Sequence, residues 1–270
     1  MKRLLPTLLL LSITSLNAQD YFKGKNLYCP SKDAEATRLF NIGVETLYLN
    51  TSLNEKYLGK TCEIFIKAYK TDSTFCDAAF FAGYTLRLLN NENAILLYYV
   101  ADSLSVDTPR LEFKVNLAAE GLRMGTPKSL ELARKKYVEL ISAFPDSPEG
   151  YYGFAVTSPF FGDEQKGLEN VNIAIEKYNK NGLNPDDKTV FMKAMLLAMN
   201  KHYEESLPWF ERCRSSFKKD TNFNTYYALA LLKVSQEKHD DKMKKQAKKY
   251  YDKIDQKDII DPDIQKEFIF

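Results

Sequence analysis

Four cysteines and two histidines are the side chains of this sequence best suited to nucleophilic or metal chemistry. The cysteines are Cys29, Cys62, Cys76 and Cys213, and no two of them are separated by only two residues, so the spacing of zinc and redox motifs is absent. Either one pair forms a disulfide, which an oxidising compartment allows, or all four are buried thiols that pack as small apolar side chains. The cysteines predict no metal centre.

The histidines and the paired carboxylates do not predict catalysis either. His202 and His239 stand among charged residues near helix starts, without a Cys or carboxylate at a metal-site spacing. The pairs Asp186–Asp187 and Asp240–Asp241 precede predicted helices, where capping and the helix dipole explain them. The sequence has no glycine-rich phosphate loop, nucleophile elbow, zinc-protease motif or calcium loop. We therefore predict a non-catalytic protein that uses no cofactor or metal.

The first eighteen residues have the layout of a secretory signal peptide. Two basic residues precede an uncharged, mostly apolar run from Leu4 to Leu16, and small Ala18 is followed by Gln19. The run is shorter than the roughly 20 residues that span a bilayer, and no later segment is long and uncharged enough. We expect a secreted or periplasmic mature chain with no membrane span and no lipid-bearing cysteine, since the first is Cys29. A retained membrane anchor is the alternative.

The charge balance gives no reason to expect nucleic acid as a ligand. The sequence has 38 Lys plus Arg and 36 Asp plus Glu, and loss of Lys2 and Arg3 with the signal segment leaves 36 of each. A formally neutral chain has no net attraction to a polyanion. The lysine-rich segment 242–257 is predicted to be the solvated side of a helix that carries an apolar stripe on its other side.

Apolar residues recur at intervals of three and four along nearly the whole chain, and convincing alternation is absent, which predicts an all-α structure. Breaks at Asn, Gly and Pro residues divide the pattern into helices that fall into pairs. The helices are predicted near residues 32–49, 54–70, 76–89, 92–105, 110–124, 127–143, 148–157, 164–179, 186–200, 203–217, 222–236 and 241–254.

Small residues recur in the first helix of each pair, at intervals of 34 to 40 residues, as Gly43, Gly83, Gly121, Ala155, Ala194 and Ala230. In the second helix another small residue tends to appear, with a larger apolar one four positions later. Examples are Ala94 and Tyr98, Ala133 and Tyr137, and Ser206 and Phe210. Antiparallel helices approach closely only where side chains are small, and the larger residue fills the groove beside that approach. Each pair leaves an apolar face that the next pair covers, so we expect the pairs to stack.

This spacing resembles the tetratricopeptide repeat. Residues 114–147 match its pattern best, through Leu117, Gly121, Ala133, Tyr137 and Pro145. The resemblance extends over five to six units across residues 32–254 and implies a right-handed superhelical solenoid of antiparallel helix pairs. Most units are longer than the usual repeat of about 34 residues, so a degenerate helical repeat is an alternative, and coincidental periodicity in an ordinary helical domain is another.

The resemblance implies that the first helices line a concave surface that binds peptides or proteins. The fifth position of each unit, and the position one turn later, give this surface an apolar and aromatic character. Its aromatic residues would be Phe40, Phe80, Tyr84, Tyr152, Phe191 and Tyr227. Such a groove suits an amphipathic helix or an extended apolar segment. Alternatively, these aromatic side chains pack between adjacent repeats or are covered by the ends of the chain.

The expected organisation has four parts. A signal peptide (1–18) and an N-terminal extension (19–31) precede the repeat region (32–257), and a tail (258–270) follows it. Because a terminal repeat needs covering, we expect the tail to cap the last helix pair through Ile259, Ile260, Phe268 and Phe270.

The stacked arrangement favours one cysteine pairing. Cys29 precedes the first helix and Cys76 opens the third, so both would lie at the same end of adjacent pairs. Cys62 lies in the middle of a helix, roughly 15 Å along the rise from that end. We therefore predict a Cys29–Cys76 disulfide, with four free thiols as the alternative.

Three functions follow as hypotheses. The favoured one is an exported, non-catalytic scaffold that binds a peptide or protein segment in its concave groove. A structural subunit of a cell-envelope assembly, joined through its outer face or ends, is the alternative, and an enzyme with an unrecognised site is a remote one. The signal segment is similar to those of Bacteroidetes-type bacteria. The sequence does not identify the partner or the oligomeric state.

Overall fold

The computed structural model describes residues 20–49, 55–254 and 262–270. These ranges contain helices, turns and loops and no strand. The signal segment 1–18 lies outside them, as do Ile259 and Ile260 of the tail. Among the described residues, no helix combines the length and the apolar composition that crossing a bilayer requires.

The all-α prediction is confirmed, and most predicted helix ends lie within two residues of the observed ones. Residues 20–22 are helical. The helices that follow are α1 (Ala34–Leu49), α2 (Glu55–Thr71), α3 (Cys76–Leu88), α4 (Ala94–Leu104), α5 (Leu111–Met124), α6 (Pro127–Ala143), α7 (Pro148–Phe161), α8 (Glu164–Lys180), α9 (Asp187–Met199), α10 (Tyr203–Phe217), α11 (Thr221–Lys238), α12 (Asp241–Tyr251) and α13 (Pro262–Lys266).

The chain divides into two compact units. The N-terminal unit ends at Ala143 and packs α1 against α2, α3 against α4, and α5 against α6. The C-terminal unit, Phe144–Phe270, packs α7 against α8, α9 against α10, and α11 against α12. Consecutive helices therefore form the pairs that the sequence predicts.

Glycines set the distance between paired helices in the N-terminal unit. A Cβ built on Gly43 would lie 2.6 Å from the Phe65 ring, and one on Gly83 would lie 3.0 Å from the Tyr98 ring. In both cases the ring belongs to the second helix of the same pair. A side chain at either glycine would force the two helices apart, which is the close approach inferred from the spacing.

Helix α7 is longer than predicted. The sequence places its end near residue 157, ahead of Pro159, whereas the helix continues to Phe161. Proline has a helical φ of its own, and although it removes one N–H and its ring crowds the carbonyl four residues earlier, it weakens or kinks a helix without always ending it. The helix ends at Gly162, whose φ of 66° is left-handed and whose N–H bonds the carbonyl of Ser158.

Candidate functional site

The aromatic residues assigned to the groove are core residues. Phe40, Phe80, Tyr152, Phe191 and Tyr227 are buried, and Tyr84 is half-buried. They therefore do not form the exposed aromatic lining that the resemblance implies. Positions that face a groove and positions that face a neighbouring helix have the same spacing, so the sequence pattern does not separate the two.

In the C-terminal unit these rings pack against the second helices. The Phe191 ring centroid lies 4.6 Å from that of Phe217 and 6.4 Å from that of Phe210. The Tyr227 ring lies 5.3 Å from Phe210 and 4.7 Å from Tyr250. Both rings fill space between helices, which is the alternative that the sequence left open.

In the N-terminal unit, part of the same aromatic set is covered by the chain itself, through residues 20–29, which we call the N-terminal segment. Tyr21 is only 1% exposed, and its ring lies 5.5 Å from Phe80, 5.5 Å from Phe81 and 6.1 Å from Phe113. A residue assigned to an extension is thus fully inside the core. The sequence signals this poorly, because the segment is short and has no helical periodicity.

Phe22 and Gly24 of the N-terminal segment also contact α1 and α3, the first helices of the first two pairs. The Phe22 ring lies 5.9 Å from Phe80 and 5.6 Å from Tyr84, and the Tyr48 hydroxyl donates a hydrogen bond to the Phe22 carbonyl oxygen at 2.6 Å. A Cβ on Gly24 would lie 2.9 Å from the methyl groups of Val44, so only glycine fits there without displacement. We call the contacted area of α1, α3 and α5 the first-helix surface.

The end of the N-terminal segment is held by a buried carboxylate. The backbone N–H groups of Tyr28 and Cys29 donate to the two carboxylate oxygens of Asp77, at 3.1 and 2.8 Å. Burial raises the pKa of Asp77, although these two donors oppose the rise. The Arg110 guanidinium lies 4.5 Å from the centroid of the Tyr28 ring, a cation–π contact.

Cys29 and Cys76 are joined in a disulfide, with Cα atoms 5.7 Å apart. It is the pairing that the stacked arrangement favours, and it fixes the end of the N-terminal segment to the start of α3. Cys29, Cys76 and Asp77 are also close enough for their ligand atoms to share a metal ion. Because the two sulfur atoms are bonded to each other, neither offers a thiolate, and the group is a disulfide with an adjacent carboxylate.

The other cysteines are buried free thiols. Burial raises the pKa of Cys62 to about 11 and that of Cys213 to about 12. Both are thiols at neutral pH and therefore poor nucleophiles. They pack as small apolar residues, and the alternative in which all four cysteines are free thiols is wrong.

The polar residues considered for catalysis have structural roles or face solvent. Asp186 accepts a hydrogen bond from Thr189 N at 2.8 Å, and Asp240 accepts one from Met243 N at 2.9 Å, so both cap helices. His202 and His239 are exposed.

A largely buried charge cluster in the N-terminal unit, in which Glu139 is partly exposed, was not anticipated from the sequence. Lys114 lies 3.0 Å from Asp102 and 2.9 Å from Glu139, and Lys136 lies 2.6 Å from Asp102 and 2.8 Å from Glu139. Two cations and two anions thus form a closed set of ion pairs. Charged residues at helical spacing normally indicate a solvated face, so only the fold shows that these meet. Because all four are paired, the cluster is structural.

The described part of the tail lies against α11 and α12. The rings of Phe268 and Phe270 lie 4.6 and 5.1 Å from Tyr251, and Gln236 donates a hydrogen bond to the Ile269 carbonyl oxygen at 3.0 Å. Lys233 also pairs with Glu267.

Helix α4 presents an apolar face to solvent. Residues 94–101 are eight consecutive apolar residues. Leu96 and Tyr99 are 61% and 54% exposed. Exposed apolar residues grouped on one helix are typical of contact surfaces.

No protein-family model and no curated protein matches this sequence. Solved structures match in fold. A tetratricopeptide repeat protein from Parabacteroides merdae has a TM-score of 0.58 at 16% identity, over 81% of this chain and 81% of that one. MamA from Desulfovibrio magneticus RS-1 has a TM-score of 0.57 at 12% identity, over 70% of this chain and 99% of that one.

The Cut9–Hcn1 hetero-tetramer of APC/C gives a TM-score of 0.58 at 16% identity. That match covers 81% of this chain but 39% of the other, so this chain spans well under half of that protein. At these identities the likenesses show the fold alone.

Proposed function

We propose that this chain, which has the fold of tetratricopeptide repeat proteins, is an exported, non-catalytic scaffold that binds a protein or peptide segment. The observation that carries the proposal is the N-terminal segment on the first-helix surface. A short segment of the same chain that is not part of a repeat lies on this surface. It contributes aromatic rings and backbone hydrogen bonds to the contact.

The contacts of the N-terminal segment are of the kind that bind peptides. Aromatic side chains enter apolar sites, as Tyr21 does between Phe80 and Phe113. Side chains of the repeat satisfy backbone groups, as Asp77 does for the N–H of Cys29. Aromatic anchors supply affinity and backbone hydrogen bonds fix the register of a bound segment.

Export is part of the proposal, and two features support it. Residues 1–18 have the layout of a signal peptide, and a disulfide persists in oxidising compartments. Mass spectrometry of the protein purified from its own cells should give an N-terminus at Gln19. A chain that still begins at Met1 and remains in the cytoplasm would contradict export.

In-cell photo-crosslinking tests partner binding and its location. A photoreactive residue replaces Tyr48, which is at the exposed edge of the first-helix surface, or Lys60, an exposed polar position on α2 that is the control. We expect one defined protein crosslinked at Tyr48 and not at Lys60. Equal crosslinking at both positions, or none at either in cells with and without added dithiothreitol, would count against the scaffold.

A structural subunit of an assembly is the second candidate, and the exposed face of α4 favours it. A photoreactive residue in place of Tyr99 tests the role of structural subunit in the same cells. A partner that crosslinks at Tyr99 and not at Tyr48, together with elution of the native protein in a large complex, would favour the subunit.

A further inference from the structure

We infer that the N-terminal segment is an exchangeable occupant of the first-helix surface, locked in place by the Cys29–Cys76 disulfide. When a dithiol reduces this bond, the surface can accept in trans a segment that carries two adjacent aromatic residues in a helical turn, as residues 20–22 do. The inference deepens the proposed function and rests on it. It names both the class of segment bound and the condition that permits binding.

The contacts of the segment define what an incoming chain must supply. Tyr21 and Phe22 place two adjacent rings against Phe80, and the Phe22 carbonyl oxygen accepts a hydrogen bond from Tyr48. Because Tyr21 fills space inside the core, its departure without a replacement would leave a cavity. Release is therefore an exchange, in which a second segment supplies the same pair of rings. A charged or small-residue segment would not fill the site.

The disulfide makes this exchange conditional. It ties Cys29 to the first residue of α3, beside Asp77, and so keeps Tyr21 and Phe22, which precede Cys29 on a short stretch of chain, close to their site. Without the bond, the segment is joined to α1 only through the short link 30–33. The remaining contacts are rings, hydrogen bonds and one cation–π contact, all of which are reversible.

Reduction follows ordinary thiol–disulfide exchange. Cys29 is half-buried whereas Cys76 is buried, so a thiolate of an external dithiol reaches the Cys29 sulfur first. Attack forms a mixed disulfide and releases the Cys76 sulfur as a thiolate, which takes up a proton. The second thiol of the reagent then attacks the mixed disulfide, closes its own disulfide and releases the Cys29 thiol. The dithiol loses two electrons and the protein gains two thiols.

A synthetic peptide provides the probe. A fluorescent peptide with the sequence of residues 20–28 is titrated into the full chain, oxidised or reduced with dithiothreitol, and its anisotropy is measured. The tethered segment competes at an effective concentration on the order of 1 mM, so the titration extends to that range. We expect at least tenfold tighter binding to the reduced chain, and no binding of a matched peptide with serine in place of Tyr21 and Phe22 and with Tyr28 retained.

The variant Cys29→Ser lacks this disulfide, so it separates the effect of opening the bond from other effects of the reductant. We expect it to bind the peptide without dithiothreitol, with the affinity of the reduced wild-type chain and no further response to the reagent. A photoreactive group at the Phe22 position of the peptide should crosslink to α3. Circular dichroism of the reduced chain and of the variant checks that both are folded.

Two results would overturn the inference. One is the absence of peptide binding to a reduced, folded chain whose thiol titration shows that the disulfide is open. The other is equal binding to the oxidised and reduced chains. If the Tyr48 crosslink to a cellular partner is present in either case, the scaffold function stands and the inference alone fails. If the peptide binds as expected and no cellular partner is found, the proposed function fails instead.

Discussion

Gly121 on α5 faces the backbone of α6 so closely that a Cβ built on it would lie 2.6 Å from the carbonyl oxygen of Ser129. The same atom would lie 3.3 Å from the Cβ of Ala133, one turn further along α6. The two helices therefore meet backbone to backbone at this point. A carbonyl oxygen within a helix cannot move aside as a flexible side chain can.

We expect Gly121→Ala to destabilise the chain by about 1–3 kcal/mol, because overpacking outweighs the gain in helix propensity. Gly59→Ala is the matched control, since nothing lies within 4 Å of a Cβ at that position in α2. The control should be stabilised by about 0.5–1 kcal/mol. Urea unfolding measures both. If Gly121→Ala is as stable as Gly59→Ala, the close crossing does not exist in solution.

The crossing at Gly121 also shows why the helix pairs could be predicted. Each helix pair has a small residue in its first helix and a larger one in its second. This pattern repeats once per pair, so it can be recognised in the sequence. In the two preceding pairs the corresponding glycines, Gly43 and Gly83, lie against the rings of Phe65 and Tyr98. The prediction needs only local spacing and the need of each helix to bury one side.

The site could not be predicted in this way, because it depends on contacts between distant parts of the chain. Tyr28 and Asp77 are 49 residues apart. The predicted Cys29–Cys76 disulfide brings these parts of the chain together, but it does not indicate that the Asp77 carboxylate accepts hydrogen bonds from the backbone of Tyr28 and Cys29. Helical spacing placed Phe80 on the first helix of its pair, but it did not reveal that Tyr21 covers the Phe80 ring. From residue type alone, Lys114 and Asp102 would also be predicted to be exposed to solvent. Only the fold shows that they form a buried ion pair.

The cysteines give a prediction about covalent structure. The purified oxidised chain, titrated with a thiol reagent in denaturant, should show two thiols, those of Cys62 and Cys213, and four after reduction. Peptide mapping without reductant should recover Cys29 linked to Cys76. Opening this bond should cost about 2–4 kcal/mol of stability, since it closes a long loop in the unfolded chain. Four thiols in the oxidised chain would contradict the pairing.

The charge cluster should be sensitive to loss of one member. Asp102 is 5% exposed and pairs with both Lys114 and Lys136. We expect Asp102→Ala to destabilise the chain by about 3–5 kcal/mol, because two lysines of low exposure lose a counter-ion. Glu35→Ala, which removes the exposed pair with Arg38, is the control and should leave the urea midpoint unchanged. Similar midpoints for the two variants would mean that the cluster is solvated.

The same cluster predicts a dependence on pH. Burial tends to raise the pKa of Glu139, but hydrogen bonds from Lys136 and Lys114 hold it below its usual value. The unfolded chain, with a glutamate pKa of about 4.3, binds this proton more readily. The contribution of Glu139 to stability is therefore complete above that pH and is lost as the pH falls through the folded pKa.

Glu139→Gln should accordingly lower the urea midpoint at pH 7. The difference between variant and wild type should shrink progressively as the pH falls from about 5 into the acid range. Glu237→Gln, at an exposed position on α11, controls for the general loss of a negative charge. A difference that stays constant over this range would show that the carboxylate does not act through its lysines.

The last prediction concerns whether the N-terminal segment belongs to the core. Tyr21→Ala removes a ring surrounded by Phe80, Phe81 and Phe113 and should destabilise the N-terminal unit by about 3–5 kcal/mol. Tyr99→Ala removes the same side chain from an exposed position and should have little effect. Hydrogen exchange across α1–α6, with urea midpoints, measures both. Equal midpoints would make residues 20–29 an extension outside the core, and the first-helix surface would then be open in the oxidised chain.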